Sequence, residues 1–322
     1  MNSRSDKGLN DKTNLSFTSS NSSFSKCVRN HHIFLSNSDS NLNDPTCLID
    51  GRQTSSPACD TSSRNTLNTG STYEFSWCTW SSCSASGDAG GALKCTGTGS
   101  KVYVERCSFS SCSAYKQGGA IHTSSIHTLD VKDSLFYACS SSTKENDEGS
   151  GAMWIYGIQQ KLSISETSFI SCTTKASGGA CIIQKCSSNI KGQIINQCRC
   201  IHCNATDMSP DGGALYIPTS TELIGLEECL FSLCHSLYGG ALDHSLSNYK
   251  EHTYPIRYCF FNKNTVSESG YGNDVVLRNH LLDNNNPVLQ HSFSTSTSIR
   301  VGYYYNSNWY KNDFNWLPHV VR

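Results

Sequence analysis

A six-residue phrase that occurs seven times between Cys78 and Val276 constrains this chain more than any other feature. The phrase consists of a small polar or thiol residue, a spacer, an aromatic residue, two spacers and a cysteine. Its copies begin at Cys78, Cys107, Ser134, Thr167, Cys198, Cys229 and Cys259, and they close at Cys83, Cys112, Cys139, Cys172, Cys203, Cys234 and Asn264. The closing residues are 27 to 33 positions apart. A period near thirty that holds over seven copies predicts a repeat architecture.

A pair of small residues that runs into an apolar residue follows each phrase, as in GGAL at Gly90 and GGAI at Gly118. Glycine permits a positive φ at a corner and lets one stretch of backbone approach another closely. We therefore predict structural roles for the second glycines of these pairs, which are Gly91, Gly119, Gly179, Gly213 and Gly240. The closing cysteines, from Cys83 to Cys234, are predicted to be structural as well.

Apolar alternation divides each period into short strands. Before the second phrase, Val102 and Val104 alternate with polar residues, but the next inward residue, Cys107, follows at an odd step. Because a strand of period two cannot change phase without a bend, we predict a tight corner there. The corners fall at Glu105-Arg106, Lys132-Asp133, Ser165-Glu166, Glu227-Glu228 and Arg257-Tyr258.

Three short strands, three corners and a constant period are typical of one coil of a parallel β-helix. We predict an all-β, right-handed parallel β-helix of seven or eight coils, with handedness assigned from the general preference of parallel crossovers. Its core is predicted to contain the rings of Phe109, Phe136, Phe169 and Phe231. Leucine-rich repeats and propeller blades fit poorly, because their leucine offsets and their longer period are both missing.

Two flanks surround the repeats. Residues 1–70 are rich in Ser and Asn, and SSFSKC from Ser22 to Cys27 predicts one divergent coil there. Residues 71–276 form the predicted β-helix. Residues 277–322 contain a cluster of Tyr and Trp, which we interpret as a cap for the C-terminal end of the solenoid rather than as a ligand platform, because solenoid ends need caps.

Composition narrows the classes of partner. The 322 residues include 25 basic and 26 acidic ones, a net charge of −1, which argues against binding to nucleic acid or anionic lipid. No apolar run reaches the length of a signal peptide at the start, or of a membrane span anywhere. These features predict a soluble chain with no membrane insertion.

Cysteine is the most conspicuous candidate for chemistry, with 18 residues. We favour two buried ladders of free thiols, since stacked cysteines have parallel Cβ vectors that suit a disulfide poorly. Disulfides among the off-ladder residues remain open if the protein is secreted, and these residues are Cys47, Cys59, Cys95, Cys181 and Cys186. The three sequons at Asn14, Asn21 and Asn204 would matter in the same setting.

One dense group of potential zinc ligands comprises Cys198, Cys200, His202 and Cys203. Zinc needs four ligands that converge tetrahedrally. The repeat already accounts for the three cysteines, since Cys198 and Cys203 occupy ladder positions and Cys200 replaces the aromatic residue. We therefore predict no metal site and no cofactor.

An outward column after the glycine pairs is the candidate ligand surface. The column is predicted to contain Lys94, His122, Trp154, Ile182, Tyr216 and Asp243. Trp154 and Tyr216, with His122 and Asp243 beside them, have aromatic faces and hydrogen-bonding groups that suit sugar rings. The alternative is that these side chains only cover the sheet.

A polysaccharide-acting enzyme is the main alternative to a binding protein. Glycoside hydrolases need paired carboxylates. The corner acids, Glu105, Asp133, Glu166, Glu227 and Glu228, stack best, but Arg106, Lys132 and Arg257 are interleaved with them. A charge-balanced corner explains this pattern more simply, and no catalytic constellation emerges.

The pairing of GGAI, as at Gly118 to Ile121, with FxxN, as at Phe261 to Asn264, resembles the repeat of polymorphic outer-membrane proteins. The version with cysteine in place of asparagine looks like the large repeat families of trichomonad protists. The resemblance covers about two thirds of the chain, from Cys78 to Val276. The resemblance is specific for the repeat type and the fold but not for an activity, and it implies a surface protein or adhesin. We expect a non-enzymatic binding or structural scaffold that is presented outside the cell and contacts host or matrix glycans or proteins. A polysaccharide-acting β-helix enzyme, either a lyase or a glycoside hydrolase, and a truncated family member without activity stay open as alternatives.

Overall fold

The structure is a computed structural model of the chain. It describes residues 65–67, 70–142, 149–187, 193–206, 211–218, 224–245 and 256–278, together with the backbone of strands at 24–29, 32–37, 289–290, 293–294, 301–305 and 308–312. The described residues form strands, turns and bends, and no helix occurs among them. Nearly all strand pairs are parallel, and each strand pairs with its equivalents one period before and one period after it.

Each coil contains four strands, which contribute to four sheets. The first sheet contains Thr72–Ser76, Lys101–Glu105, Thr128–Lys132, Lys161–Ser165, Gln193–Asn196, Ile224–Glu227, Ile256–Arg257 and Leu289–Gln290. The second contains Thr79–Ser81, Ser108–Ser110, Leu135–Tyr137, Ser168–Ile170, Arg199–Ile201, Leu230–Ser232, Phe260–Asn262 and Phe293–Ser294. The third contains Ser84–Ala85, Ser113–Ala114, Ser140–Ser141, Thr173–Thr174, Asn204–Ala205, His235–Tyr238 and Thr265–Tyr271. The fourth contains Asn65–Leu67, Leu93–Thr96, Ile121–Ser124, Met153–Tyr156, Cys181–Gln184, Leu215–Ile217, Leu242–Ser245, Val275–Arg278, Val301–Tyr305 and Asn308–Asn312.

These sheets confirm the predicted all-β solenoid with a period near thirty. Seven successive four-strand coils lie between Thr72 and Arg278, which makes about six turns from the first coil to the last. Three strands per coil were predicted, however, and the structure has four. The extra division falls between the aromatic residue and the closing cysteine of each phrase, for example between Phe109 and Cys112.

Single residues in the left-handed region form the corners on both sides of the second sheet. The positive-φ residues before its strands are Trp77, Arg106, Asp133, Glu166, Gln197, Glu228 and Tyr258, and those after them are Ser82, Ser111, Ala138, Ser171, His202, Leu233 and Lys263. Their φ values lie between 48° and 61°. The predicted corner at Glu105-Arg106 and its equivalents is thereby confirmed. Left-handed backbone costs about 1 kcal/mol or more for an L-residue, so each corner needs compensation.

The residue that follows each left-handed residue supplies this compensation. The single S–H of Cys107 lies within donating distance of two carbonyls, that of Glu105 across the corner at 3.3 Å and that of Phe75 in the coil before at 3.5 Å. Cys139 Sγ contacts the carbonyls of Tyr137 and Phe109 in the same way, both at 3.6 Å. The two cysteine ladders therefore provide weak hydrogen-bond donors at the corners as well as small buried volume.

Ser134 and Thr167, which replace cysteine in the ladders, make the same contact across the corner, whereas Asn264 Nδ2 donates to the carbonyl of Phe231 in the coil before at 3.2 Å. Ser134 Oγ donates to the carbonyl of Lys132 at 2.8 Å, and Thr167 Oγ1 donates to that of Ser165 at 2.8 Å. Asn264 accepts from the amide of Cys234 at 3.0 Å, and its Nδ2 donates to Asp274 at 2.9 Å. A small side chain with a donor is thus the common requirement of both ladders.

We expect Ser134→Ala to lower the free energy of unfolding by about 1 to 3 kcal/mol, since the buried amide of Cys107 loses its partner and the carbonyl of Lys132 keeps only the amide of Arg106. The lost bonds are those of Ser134 Oγ to the carbonyl of Lys132 and of the Cys107 amide to Ser134 Oγ, at 2.8 and 3.1 Å. Ser134→Cys, which restores the usual ladder residue, should cost less than about 1 kcal/mol. Urea denaturation of both variants measures the difference. Equal costs for alanine and cysteine would contradict the donor role.

Burial raises the pKa of most ladder thiols, whereas hydrogen bonds from neighbouring ladder thiols lower the pKa of Cys112 and Cys229. The fifteen cysteines in the described part of the chain are all buried, and none of them is joined in a disulfide there. Burial raises the pKa of Cys172, Cys203 and Cys234 well above the ordinary thiol value. Off the ladders, burial raises the pKa of Cys95 to about 11 and that of Cys186 to about 12. Cys47 and Cys59 lie outside the described residues, so a pairing between them stays a prediction.

The two members of each glycine pair have different roles. The first, such as Gly118 with φ of 64°, adopts left-handed backbone at the entry to the fourth sheet. The second, such as Gly119, lies against the next coil, where a β-carbon would overlap the carbonyl oxygens of Gly151 and Ser140 and would lie 2.6 Å from the Ser140 amide nitrogen. The same overlap with the next coil occurs at Gly91, Gly179, Gly213 and Gly240.

A stack of aromatic rings runs along the core. Trp80, Phe109, Phe136 and Phe169 stack face to face with centroid distances of 4.6, 4.6 and 5.0 Å. Phe231 and Phe261 form a second stack at 5.2 Å. The four predicted core phenylalanines are therefore confirmed as buried. Cys200 interrupts the stack, and a small apolar cavity lies there, lined by Phe169, Cys200 and Phe231 among others.

One titratable side chain also points into the core. His244 pairs in register between Ile217 and Leu277, on the inward side of the fourth sheet, and it is fully buried. Burial alone lowers the pKa of His244 to about 4, from an ordinary value of 6.5. The folded protein therefore holds this imidazole neutral over a pH range in which the unfolded chain would protonate it.

Acid should accordingly destabilise the protein through His244. Between pH 6.5 and about 4 the unfolded chain binds a proton at His244 that the folded chain does not, so the free energy of unfolding falls by up to about 3 kcal/mol as the pH is lowered. We expect His244→Ile to remove this part of the acid sensitivity, because isoleucine occupies the same inward position at Ile155 and Ile183. Urea denaturation of both proteins at pH 7 and pH 4.5 measures this loss of stability. If the variant lost as much stability as the wild type between these pH values, the assignment to His244 would be wrong.

The structure describes the two flanks of the β-helix only in part. Phe24–Arg29 pairs antiparallel with His32–Asn37, whereas a coil strand would pair in parallel with a neighbouring coil. At the other end, Val301–Tyr305 continues the fourth sheet in parallel, and Asn308–Asn312 ends it as an antiparallel strand. Apart from these strands and residues 65–67, 70, 277–278, 289–290 and 293–294, the flanks lie outside the described residues, so the aromatic cap and the division at residues 70 and 276 stay predictions.

Candidate ligand-binding face

The fourth sheet brings the predicted ligand residues into one column. Strand pairing aligns Lys94 with His122, His122 with Trp154, Trp154 with Ile182, Ile182 with Tyr216 and Tyr216 with Asp243. Their neighbours along each strand, such as Ile121 and Ile155, belong to the core. The column therefore faces outward, as the alternation predicts.

Most of this outward column is nevertheless buried. His122 and Trp154 are 7% and 6% exposed, and Asp243 is fully buried. Tyr216 is half-buried, and Lys94 Nζ pairs with Asp88 at 2.7 Å. Ligand binding by these residues stays a prediction. Among the aromatic residues of the column, Tyr216 has the most exposed surface.

The aromatic residues of the column stack on one another. His122 stacks on Trp154 at 4.7 Å, and Trp154 stacks on Tyr156 at 5.2 Å, while Lys185 Nζ lies 5.0 Å from the ring centre of Tyr156. A sugar would have to displace His122 or Tyr156 to reach a face of the Trp154 ring. Trp154 Nε1 is buried, and no described residue forms a hydrogen bond with it. This arrangement supports a covering role for Trp154 at least as well as a binding role.

The corner acids form ion pairs with the interleaved bases. Arg106 contacts Glu105 at 3.3 Å and Asp133 at 3.4 Å. Along the same edge, Lys132 lies 4.0 Å from Glu166, and Arg257 lies 3.5 Å from Glu227. Burial and the neighbouring Glu166 raise the pKa of Asp133. Such exposed pairs contribute little to stability, and they neutralise most of the carboxylates that an enzyme would need.

The group at Cys198, Cys200, His202 and Cys203 does not form a zinc knuckle. Its three cysteines are buried in the core, at the two ladder positions and the aromatic position, whereas His202 is an exposed left-handed corner residue. Within the described ranges, no cluster of three or more His, Cys, Asp or Glu residues is arranged to hold a metal ion. None of the described residues belongs to a helix suited to crossing a membrane.

Sequence reasoning missed an exposed apolar surface on the second sheet. The apolar band, as we name it, consists of Tyr137, Ile170, Ile201, Leu230, Leu233 and Phe260. Tyr137, Leu233 and Phe260 are 45%, 40% and 39% exposed, and the other three are half-buried. Five of these residues are the first or third residues of strands in this sheet, which face outward, so the alternation inside each phrase carried a signal for them; Leu233 lies at the corner after its strand.

Comparison with known proteins identified no relative of this chain. Neither the family models, nor the curated proteins, nor the solved structures contain a match to this chain. The fold and the geometry of its surfaces are therefore the basis for any functional assignment.

Proposed function

We propose that the chain is a non-enzymatic β-solenoid scaffold that is presented at a cell surface or outside the cell, where it binds glycans or proteins. The observation that carries the proposal is the regular stacking of coils, which repeats outward side chains at steps of about 4.8 Å along flat sheets. Ion pairing of the corner carboxylates supports binding over hydrolysis. The resemblance to surface repeat proteins gives the cellular setting.

A binding assay with a turnover control tests this proposal. The protein is applied to immobilised polysaccharides and matrix glycoproteins, and the same polysaccharides are assayed for shortened products. We expect saturable binding without product. Product released from a pectin-like or glycosaminoglycan chain would establish the enzyme alternative, and the absence of any binding would leave the scaffold without activity.

Substitution on the fourth sheet locates a glycan site. If the outward column binds a sugar, Tyr216→Ala should weaken glycan binding about tenfold, since aromatic stacking is lost. Trp154→Ala tests the same column, although it also opens the stack between His122 and Tyr156. Tyr103→Ala is the matched control, because Tyr103 is a half-buried outward tyrosine of the first sheet. Equal affinity of the Tyr216 variant and the wild type would move the site away from this face.

A further inference from the structure

The cysteines that end the repeated phrases form a ladder of six thiols in six successive coils, which we call the closing ladder. Its members are Cys83, Cys112, Cys139, Cys172, Cys203 and Cys234, and each is fully buried. The opening ladder, at the first position of the phrases, is interrupted by Ser134 and Thr167, whose hydroxyl groups donate across their corners at 2.8 Å. Because a hydroxyl serves a corner as well as a thiol does, closing a corner does not by itself require sulfur in six consecutive coils.

The thiols of the closing ladder repeat one orientation. Cys112 Sγ lies 3.7 Å from the carbonyl of Ser110 across the corner and 3.7 Å from that of Trp80 in the coil before. The four thiols after it make the same pair of contacts at 3.5 to 3.7 Å. Since the orientation repeats, the sulfur atoms repeat at the coil step of about 4.8 Å. The thiols on both sides of Cys139, those of Cys112 and Cys172, act on its pKa, as adjacent sulfur atoms would.

We propose that the closing ladder is a binding site for soft monovalent cations such as copper(I), each of which lies between the thiols of two successive coils. Thiolate sulfur is the ligand that soft cations prefer. A metal–thiolate bond is about 2.3 Å long, so a cation with two sulfur ligands in line needs them about 4.6 Å apart. The coil step of about 4.8 Å provides this separation without movement of a side chain.

The spacing of the ladder disfavours the other common partners of cysteine. A disulfide requires two sulfur atoms to approach to about 2.05 Å, whereas neighbouring thiols here stand at the coil step. Zinc and iron–sulfur clusters need four converging ligands. Within the part of the chain that the structure describes, no group of three or more His, Cys, Asp or Glu residues converges in this way. The ladder therefore fits a cation that takes two ligands in line, which is a geometry that the prediction of no zinc site does not cover.

Binding leaves the core uncharged. Each cation forms bonds to two sulfur atoms and takes the place of one thiol proton, which passes to the solvent, and no electron is transferred. The positive charge of the cation thus equals the negative charge of the thiolate that forms. Burial therefore does not oppose the bound state as it would oppose a net charge.

The corner carbonyls tolerate the loss of the thiol proton. The carbonyl of Ser110 also accepts from the amide of Ser82 at 2.8 Å, and that of Tyr137 accepts from the amide of Ser111 at 2.8 Å. These carbonyls therefore keep a backbone partner when the thiols beside them bind a cation, so no buried acceptor is left unsatisfied there.

Refolding in the presence of copper(I) tests the proposal. The reduced full chain is unfolded in urea and refolded without oxygen, with copper(I) supplied from a competing chelator, so that access to the core does not limit uptake. Six thiols enclose five intervals, so native mass spectrometry should count at least about five ions per chain. X-ray absorption should report two sulfur neighbours for each ion. The urea midpoint should rise with copper(I), because sites that exist only in the folded protein stabilise it.

Serine variants provide the matched comparison. Cys139→Ser removes a sulfur atom from the middle of the ladder and breaks two of the five intervals, so the folded protein should hold about two fewer ions. Serine suits such a corner, since Ser134 donates across the equivalent corner of the opening ladder. If this variant does not fold, Cys83→Ser, at the end of the ladder, should lose about one ion. Cys186→Ser is the control, because Cys186 is a buried free thiol off both ladders, and its replacement should leave the ion count unchanged.

Four outcomes would overturn the proposal. They are refolded protein without bound copper, three or more sulfur neighbours for each ion, a urea midpoint that falls with copper(I), and an equal loss of ions in Cys139→Ser and Cys186→Ser. A falling midpoint would place the ions on the unfolded chain. The proposed function is tested by ligand binding to the outer faces of the protein, so the failure of either proposal leaves the other standing.

Discussion

Gly119→Val is expected to reduce the free energy of unfolding by at least about 4 kcal/mol, or to prevent accumulation of folded protein. A β-carbon at position 119 overlaps the carbonyl oxygens of Gly151 and Ser140 and lies 2.6 Å from the Ser140 amide nitrogen. These atoms belong to the backbone of the next coil, so they cannot move aside as a flexible side chain can. Relief would require the coils to separate, which breaks the hydrogen bonds between them.

Two control substitutions isolate the contact between coils from the effect of valine itself. Gly87→Val introduces the same side chain at a glycine whose β-carbon would meet nothing within 4 Å. Ser110→Val introduces it on the outward side of the second sheet. Both controls should stay within about 1 kcal/mol of the wild type in urea denaturation. A cost at Gly119 as small as that of the controls would contradict close coil stacking.

Phe136→Ala is expected to cost about 3 to 5 kcal/mol, the range found for buried phenylalanine. The ring of Phe136 is fully buried and stacks on Phe109 at 4.6 Å and on Phe169 at 5.0 Å, so its removal opens a cavity and breaks two ring contacts. Collapse around the cavity is restricted, because the backbone on both sides is held by strand pairing.

Tyr137→Ala, at the next residue, is the matched control for Phe136→Ala. Tyr137 points outward and is 45% exposed, so its truncation should cost less than about 1 kcal/mol. Thermal and urea unfolding of the two variants measure the difference. Similar costs at positions 136 and 137 would mean that the inward and outward assignment of the second sheet is wrong.

The position of the first corner followed from the sequence, because Val104 and Cys107 are three residues apart while both face inward. The same argument applies to Phe109 and Cys112, which are also three residues apart and both inward. That second odd step requires a second corner, at Ser111. The fourth strand of each coil therefore follows from the same argument. The prediction of three strands used the odd step between Val104 and Cys107 but not the one between Phe109 and Cys112.

The role of the ladder side chains as hydrogen-bond donors could be inferred in part from the sequence. Ser134, Thr167 and Asn264 stand in place of cysteine, and what these residues share with it is a small side chain that can donate a hydrogen bond. At the ladder positions, the repeat pattern on its own predicts only small buried side chains. The acceptors are carbonyl groups at strand ends, and they become visible only once the left-handed corners are placed.

Burial of the outward column on the fourth sheet could not be predicted from periodicity. Alternation assigns Trp154 and Asp243 to the outer side of a strand, and the strand register confirms this. Whether an outer side is open depends on what else lies against it, and alternation carries no information about that. The apolar band shows the converse, since its residues are outward by the same rule and are open to solvent.

Counting the reactive thiols of the native protein tests the central claim, that two ladders of buried, free cysteines line the corners of the solenoid. The protein is alkylated without reductant before and after unfolding, and the modified residues are mapped by mass spectrometry. The account predicts that the fifteen described cysteines are protected in the native protein and that all fifteen react once it is unfolded. Ladder cysteines that react at once in the native protein, or that react after unfolding only when a reductant is added, would contradict it.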